Sequence, residues 1–465
     1  MGLDAFWRVT PQTKVSVSIN TDFAQTEVDE QQVNLTRFPL FFPERRDFFL
    51  EDSSVFEFRA ATGFGNSIVR PFFSRRIGIV GGEEVPIDVA TKITGQQGGT
   101  TFGILSARTG EAHDDSIPGG VIDGRTLSVG RVSQALGEQS DAGLIWTNGD
   151  PNSGSRAETI GVDGNFRTNT FLGDRNLRAS AWALQTDDTS AGSPRHAFHG
   201  SVSYPNDEID LGAAVTVVED GFDPSLGFVP RDNIRRHEAS MNYNPRLNGD
   251  TVRRLRFGLS PTIITGMDGH LQTGNINARV LGVDFESDDE LTVWVLGTKE
   301  VLDEGFELPE ETPVDAGSYS WSRAGVEFET SRKRDLNVQV GMFVGGFFDG
   351  SRVDTDIELG WRPGPGGVFG LEWSRSDVGL PSGVFVTDVF RLRASWLPTD
   401  EVSWSNFLQY DSVSGNLGLN SRVRVILEPG RDVFVVLNQA YDAHHDSLRP
   451  VGTEVSAKLG WTFRY

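Results

Sequence analysis

The chain closes on Thr453-Glu-Val-Ser-Ala-Lys-Leu-Gly-Trp-Thr-Phe-Arg-Tyr465, and this stretch decides the fold. Val455, Ala457, Leu459, Trp461, Phe463 and Tyr465 occupy one parity, and Glu454, Ser456, Lys458, Gly460, Thr462 and Arg464 the other. A strand sends successive side chains to opposite faces, so one face here is apolar and the other largely polar. The pattern suits a half-buried strand of a soluble sandwich or a lipid-facing strand of a membrane barrel. Aromatics at the last, third-last and fifth-last positions favour the barrel, where aromatic girdles flank the apolar band.

Composition narrows the choice. Hydrophobic residues make up 37% of 465, and no window approaches the ~20 apolar residues of a transmembrane helix. A membrane strand faces lipid only at alternate residues, so this is no obstacle to a barrel. The chain has no Cys, and a sheet closed by its own ladder needs none. A net charge of −23 excludes nucleic acid as a partner on electrostatic grounds. Met1-Gly-Leu-Asp-Ala-Phe runs straight into strand-like sequence without a signal-peptide pattern. Export then implies that the chain is the mature or truncated remainder of a longer precursor.

The same alternation recurs with turn signals between segments. Ile357, Leu359 and Trp361 oppose Asp356, Glu358, Gly360 and Arg362; Leu255, Phe257, Leu259 and Ile263 oppose Arg254, Arg256, Ser260 and Thr262. Connections alternate too. Glu286-Ser-Asp-Asp-Glu, Ser331-Arg-Lys-Arg-Asp, Leu397-Pro-Thr-Asp-Glu and Glu428-Pro-Gly-Arg-Asp read as tight. Val301 to Ser318, Gly379 to Gly383 and Ala443 to Gly452 read as long. Tight periplasmic turns and long outer loops are the outer-membrane arrangement. The expectation is an all-β, transmembrane antiparallel β-barrel of about 22–24 strands, one domain over residues 1–465, in the bacterial outer membrane. Its partners would be outer-membrane lipid and, through a C-terminal signal of Trp461, Phe463 and Tyr465, the barrel-assembly machinery.

Residues 23–76 break the alternation. Arg37, Glu44, Arg45, Arg46, Glu51, Arg75 and Arg76 lie among Phe38, Phe41, Phe42, Phe48, Phe49, Phe72 and Phe73, with Pro39 and Pro43. Dense charge beside aromatics is costly to bury unless paired, and Arg suits carboxylates through its planar fork. The segment therefore reads as a plug or constriction inside the lumen, tied by Arg–carboxylate pairs; an ordered loop on the rim is the alternative.

Asp22-Phe-Ala-Gln-Thr-Glu-Val-Asp, Asn34-Leu-Thr-Arg-Phe, Phe41-Phe-Pro-Glu-Arg-Arg-Asp-Phe-Phe-Leu-Glu, Phe73-Ser-Arg-Arg-Ile-Gly and, after Asp223-Pro, Gly227-Phe-Val-Pro-Arg together carry a resemblance. The chain resembles a bacterial outer-membrane barrel family of unknown function, usually found C-terminal to a carbohydrate-binding module of the family-9 type. Asp47 departs from the Pro expected of that family. The module itself is absent, so the resemblance transfers no sugar site to these residues.

No Gly-x-Ser-x-Gly elbow, phosphate loop or His-Glu-x-x-His occurs, and no catalytic constellation, cofactor or metal site is assigned. His196 and His199 fall on opposite strand faces, a poor ligand spacing, and His113, His444 and His445 read as solvated loop. Arg254, Arg256, Arg391, Arg393, Arg422 and Arg424 share strands with outward apolar residues and are expected to face the lumen. There they serve either as selectivity charges or as plain salt bridges. The function expected is a channel or transporter-like barrel for a polar solute such as an oligosaccharide. The competing classes are a non-conducting anchor or assembly platform, and more weakly a surface hydrolase.

Overall fold

The computed structural model describes residues 2–20, 29–58, 69–80, 83–113, 121–152, 156–188, 192–247, 249–443 and 448–461. One antiparallel sheet of 23 strands dominates, within the 22–24 expected. Helix among the described residues is confined to the turn Asp47–Leu50 and the 3-10 turns Ser53–Val55 and Ser74–Arg76. All of it lies in the segment that breaks the alternation. The chain divides into two compact units.

The first unit comprises residues 1–23, 43–241 and 262–271. Its strands, from Leu3–Thr10 to Ile209–Val218, pair with their sequence neighbours as a meander. One seam is different. Thr13–Ile19 pairs directly with Ile87–Gln97, from Thr13↔Gly95 to Ile19↔Val89. The intervening chain thus leaves and returns at one place. The stretch Val69 to Ile77 forms no ladder among the described residues and contributes only a bridge between Arg70 and Phe228.

The faces of this unit are inverted relative to a water-soluble sheet. Ile93, Ile104, Val132, Leu144, Ile160, Val162, Phe198 and Val215 are exposed, Ile104 by 57% and Val162 by 51%. On the opposite parity Lys92 is 1% exposed, Arg131 4% and Asp163 6%. Apolar residues share that buried face, among them Leu105, Leu127, Val129, Ile145 and Leu184.

The second unit comprises residues 24–42, 242–261 and 272–465. From Glu290–Leu302 to Arg449–Trp461 its strands again form a meander. Val326, Met342, Trp361, Phe390, Leu392 and Trp404 are exposed on one parity. Arg323, Asp354, Glu372, Arg391, Arg393 and Gln409 occupy the other. A small hairpin, Phe306–Leu308 with Thr312–Val314, joins Leu35, Leu302, Phe347, Val378, Leu380 and Phe385 in an apolar cluster.

The loop sorting holds less cleanly than the sequence suggests. Gly379 to Gly383 is not a long loop: Leu380 pairs with Gly383, leaving a two-residue turn. Pro381 and Ser382 serve that turn rather than an excursion, because the flanking alternation continues to its edge. At the C-terminus, Val455, Leu459 and Trp461 are exposed on one parity as expected, and the Arg431 guanidinium lies 3.8 Å from the Trp461 ring centre. Phe463 and Tyr465 lie outside the described residues, as do His444, His445 and residues 23–28 and 59–68 of the non-barrel segment.

Candidate functional site

The described parts of the segment lie against the charge-bearing face of the sheet in each unit. In the first, Pro43 prevents a continuous ladder, and the chain turns at Asp47–Leu50 so that Phe48 and Phe49 are both buried, their rings 5.3 Å apart edge to face. Phe56 and Phe58 join them in one core with the sheet side chains. Phe58 also meets Trp182 at 6.0 Å, and Trp182 stacks on His199 at 5.6 Å. Gly103 is required beneath this layer: a Cβ there would sit 2.7 Å from Val55 and 2.9 Å from Phe56.

Charges inside this layer are satisfied in a specific way. Arg46, 7% exposed, donates from Nε to Glu44 Oε1 at 2.8 Å and from Nη2 to Glu44 Oε2 at 2.6 Å. Its remaining hydrogens reach Ile77 O at 2.6 Å and Ser74 O at 2.7 Å. Ser74 Oγ donates to Glu44 Oε2 at 2.6 Å. Burial pushes the Glu44 carboxyl up, but the bonds and charge of Arg46 and the Ser74 hydroxyl outweigh it, leaving the group below the ordinary glutamate range. Arg46 thus staples two parts of the segment together. Arg45 is half-buried, its backbone N–H donating to Glu44 Oε1 at 3.0 Å. Arg75 donates to Pro43 O at 3.2 Å, and Arg76 to Gly227 O at 3.0 Å.

The ties to the sheet come from lysines that sequence reasoning passed over. Lys92 Nζ donates to Phe48 O at 2.6 Å and to Glu51 O, and Lys14 pairs with Glu51. Thr94 Oγ1 donates to Asp52 Oδ2 at 3.1 Å. Lys92 was legible only as a charge on the inward parity of Ala90, Lys92 and Thr94. Nearby, Arg131 forks onto Asp163 at 2.5 and 2.8 Å, both side chains buried, with the Phe58 ring 5.4 Å away.

Two strings singled out in the sequence meet here. Arg70 and Phe228 exchange backbone hydrogen bonds of 2.9 and 2.8 Å, Phe73 N donates to Leu226 O at 2.7 Å, and the Phe73 and Phe228 rings lie 5.9 Å apart. Gly227 permits this approach, since a Cβ there would fall 2.1 Å from Arg70 O.

In the second unit, Phe41 and Phe42 are half-buried and Leu35 joins the apolar cluster. Arg37 stands 3.6 Å from Glu300. Arg391 Nη2 donates to Gln31 O at 2.6 Å, and Gln409 brackets the same stretch through Asp29 O at 2.7 Å and Gln31 N at 2.9 Å. Arg393 pairs with Glu30 at 2.9 Å and also with Glu372. The remaining arginines named from the sequence share this parity. Arg254 and Arg256 converge on the fully buried Asp284 at 2.6 and 2.8 Å. Arg424 pairs with Asp432 at 2.7 Å, and Arg422 is half-buried one position along the same face. His196 and His199 do face opposite ways: His196 meets Glu219 at 3.0 Å, and His199 meets Thr216 at 2.9 Å.

A face of paired charges with an ordered segment laid on it, backed by an exposed apolar face, is the make-up of a lipid-facing β-barrel wall. A family model described as a domain of unknown function (DUF5916) matches residues 1–102, which span the first strands and the segment. No curated protein matches the chain. Among solved structures it is similar to the ferric-catecholate import receptor Fiu of E. coli K12, with 8% identity over 82% of this chain and 73% of that one and a TM-score of 0.42. It is also similar to the siderophore receptor PiuA of Acinetobacter baumannii, with 7% identity over 96% and 86% and a TM-score of 0.45. The ferric yersiniabactin uptake receptor FyuA of Yersinia pestis matches with 10% identity over 81% and 70% and a TM-score of 0.36.

Proposed function

We propose that this chain is a bacterial outer-membrane barrel that passes a polar solute, an oligosaccharide or one like it, through a lumen occupied by residues 23–76. The observation that carries the reading is the inversion of the two faces. Exposed Ile104, Val132, Leu144, Val162, Val326, Met342 and Leu392 back directly onto Lys92, Arg131, Asp163, Arg391 and Arg393. At about 25 cal/mol per Å² of apolar area, such a face is unfavourable in water and stable only against hydrocarbon. Charges on the opposite parity then belong to an interior that contains polar contacts or water.

The passage reading is supported by the polar ties between the described parts of the segment and the sheet, among them those of Lys92, Lys14, Thr94, Arg391, Arg393 and Gln409. Polar ties can be exchanged for water at modest cost. One observation favours a second reading, the non-conducting anchor. Phe48, Phe49, Phe56 and Phe58 form an apolar core with the sheet that an open channel does not need. Liposome swelling with neutral oligosaccharides separates the two. Measurable permeation that rises when Lys92 and Arg391 are replaced supports the passage reading. Permeation absent both before and after replacement supports the anchor, and recovery of the folded protein without detergent overturns both.

A further inference from the structure

We infer that the face bearing Arg167 and Arg178 is a binding site for an oxyanion, the carboxylate or phosphate of an acidic solute; this rests on the passage reading and specifies its cargo. The two arginines are direct register partners, Arg167↔Arg178, on the strands Ala157–Phe171 and Arg175–Asp188. Side chains directly opposite on one sheet face stand roughly 5 Å apart at Cβ, and like charges placed so are destabilising. Both lie on the parity of Asp163, Asn165, Ser180 and Trp182, the face opposite exposed Val162 and Phe166.

Elsewhere on this parity, arginines are matched with acids: Arg131 with Asp163, Arg254 and Arg256 with Asp284, Arg323 with Asp354, Arg391 and Arg393 with Glu372. Arg167 and Arg178 are not. Among the described residues neither takes part in an ion pair, and Arg167 contributes only its backbone N–H, to Ser140 Oγ at 3.2 Å. Instead the pair borders a cavity of about 220 Å³ lined also by Asn165, Ser180, Ser201 and Ser203. Ser180 and Ser201 are hydrogen-bonded to each other at 2.7 Å, and Asn165 Nδ2 donates to Asp141. Asp210 closes one side of this cavity, and Asp141 and Glu138 line a second of about 440 Å³ that the same arginines border.

Two forks side by side, ringed by hydroxyls, fit one oxyanion bound through charge-assisted hydrogen bonds, with hydroxyl groups of the same molecule on the serines. An otherwise unfavourable juxtaposition is relieved when that ligand binds. The forks make the site selective, since a neutral sugar gains nothing from them and a cation is repelled by them, while Asp210, Asp141 and Glu138 compete with the anion for the same arginines.

The test uses the full chain in detergent with D-glucuronate, glucose 6-phosphate, inorganic phosphate and neutral glucose as probes, measured by calorimetry. The two acidic sugars are expected to bind and glucose not to. Arg167→Gln and Arg178→Gln each weaken binding roughly tenfold, and Arg178→Lys weakens it less. Phosphate binding as tightly as the sugars assigns the site to the oxyanion alone; weaker binding assigns a share to the serines. Phenylglyoxal labelling of the unaltered protein, read by mass spectrometry, serves where a variant fails to fold, and glucuronate should protect Arg167 and Arg178. Absence of protection, or of any effect of the substitutions, overturns the site. If glucuronate binds but does not permeate liposomes, the passage reading fails and the site stands.

Discussion

The ammonium of Lys92 donates to the carbonyl oxygen of Phe48 at 2.6 Å while lying 4.9 Å from the same residue's ring centre. One side chain on a strand therefore satisfies the carbonyl end of a helical turn and covers its aromatic. The carbonyls at the end of such a turn have no partner within it, so a cation there does the work of a C-cap.

Lys92→Met keeps the length of the side chain and removes the charge. Hydrogen bonds to a charged group contribute about 1.5–3 kcal/mol, so amide exchange over Phe48 to Val55 should accelerate about a hundredfold. Heat-modifiable migration on a gel should show the barrel still assembled. Unchanged exchange would mean that the aromatic packing alone holds the turn.

Arg45 and Arg46 are adjacent in sequence and unequal in place. Arg46→Ala leaves Glu44 buried without its fork and should cost about 3 kcal/mol, read as protease cleavage between residues 43 and 77. Arg45→Ala, at a half-buried position, should cost less than Arg46→Ala. Equal cleavage in the two variants would contradict the stapling role.

Acid should act through Glu44. Its carboxyl titrates below the ordinary value of 4.5, so the unfolded segment binds a proton more readily than the folded one. The stabilisation is complete above pH 4.5 and is lost as pH falls through the lower folded value. Proteolysis with an acid-active protease should be flat from pH 7 to 4.5 and rise below it. In Glu44→Gln that rise should vanish.

Gly227→Val places atoms where Arg70 O now lies, 2.1 Å from the first of them. The paired amides of Arg70 and Phe228 should lose protection together, by about 2 kcal/mol or more. Separate loss would show that the two strings do not act as one clasp.

Val162→Arg addresses the membrane itself. An arginine on a lipid-facing position near the middle of the band costs about 2–4 kcal/mol, so vesicle folding yields should fall. Ser133→Arg, half-buried on the opposite parity and bordering a cavity, should fall much less. A reversed order would turn the sheet inside out.

Period-two alternation was enough to read the sheet, because each strand carries its own faces: Leu255 against Arg256, Phe390 against Arg391. It also separated His196 from His199. The segment was legible as an exception but not in its contacts. Arg46 could have paired with the sheet or with Glu44, and only the turn at Asp47 brings Ser74 and Ile77 within its reach. Lys92 and Arg167 look like any inward charge until register reveals what stands across from them. Gly379 to Gly383 misled because Gly and Pro mark a long loop and a two-residue turn alike.

The seam between Thr13–Ile19 and Ile87–Gln97 has a consequence for how this chain is put together and changed. Asn20 N already donates to Asp88 O at 2.9 Å, so the excursion opens and shuts on a single rung. Such an insert is topologically a cassette: cutting it out and bridging Asn20 to Ile87 with a short turn leaves every other register in place. The ladder can therefore be kept while the insert is varied, provided that the sheet side chains it packs on, Lys92, Leu105 and Ile145 among them, are changed with it.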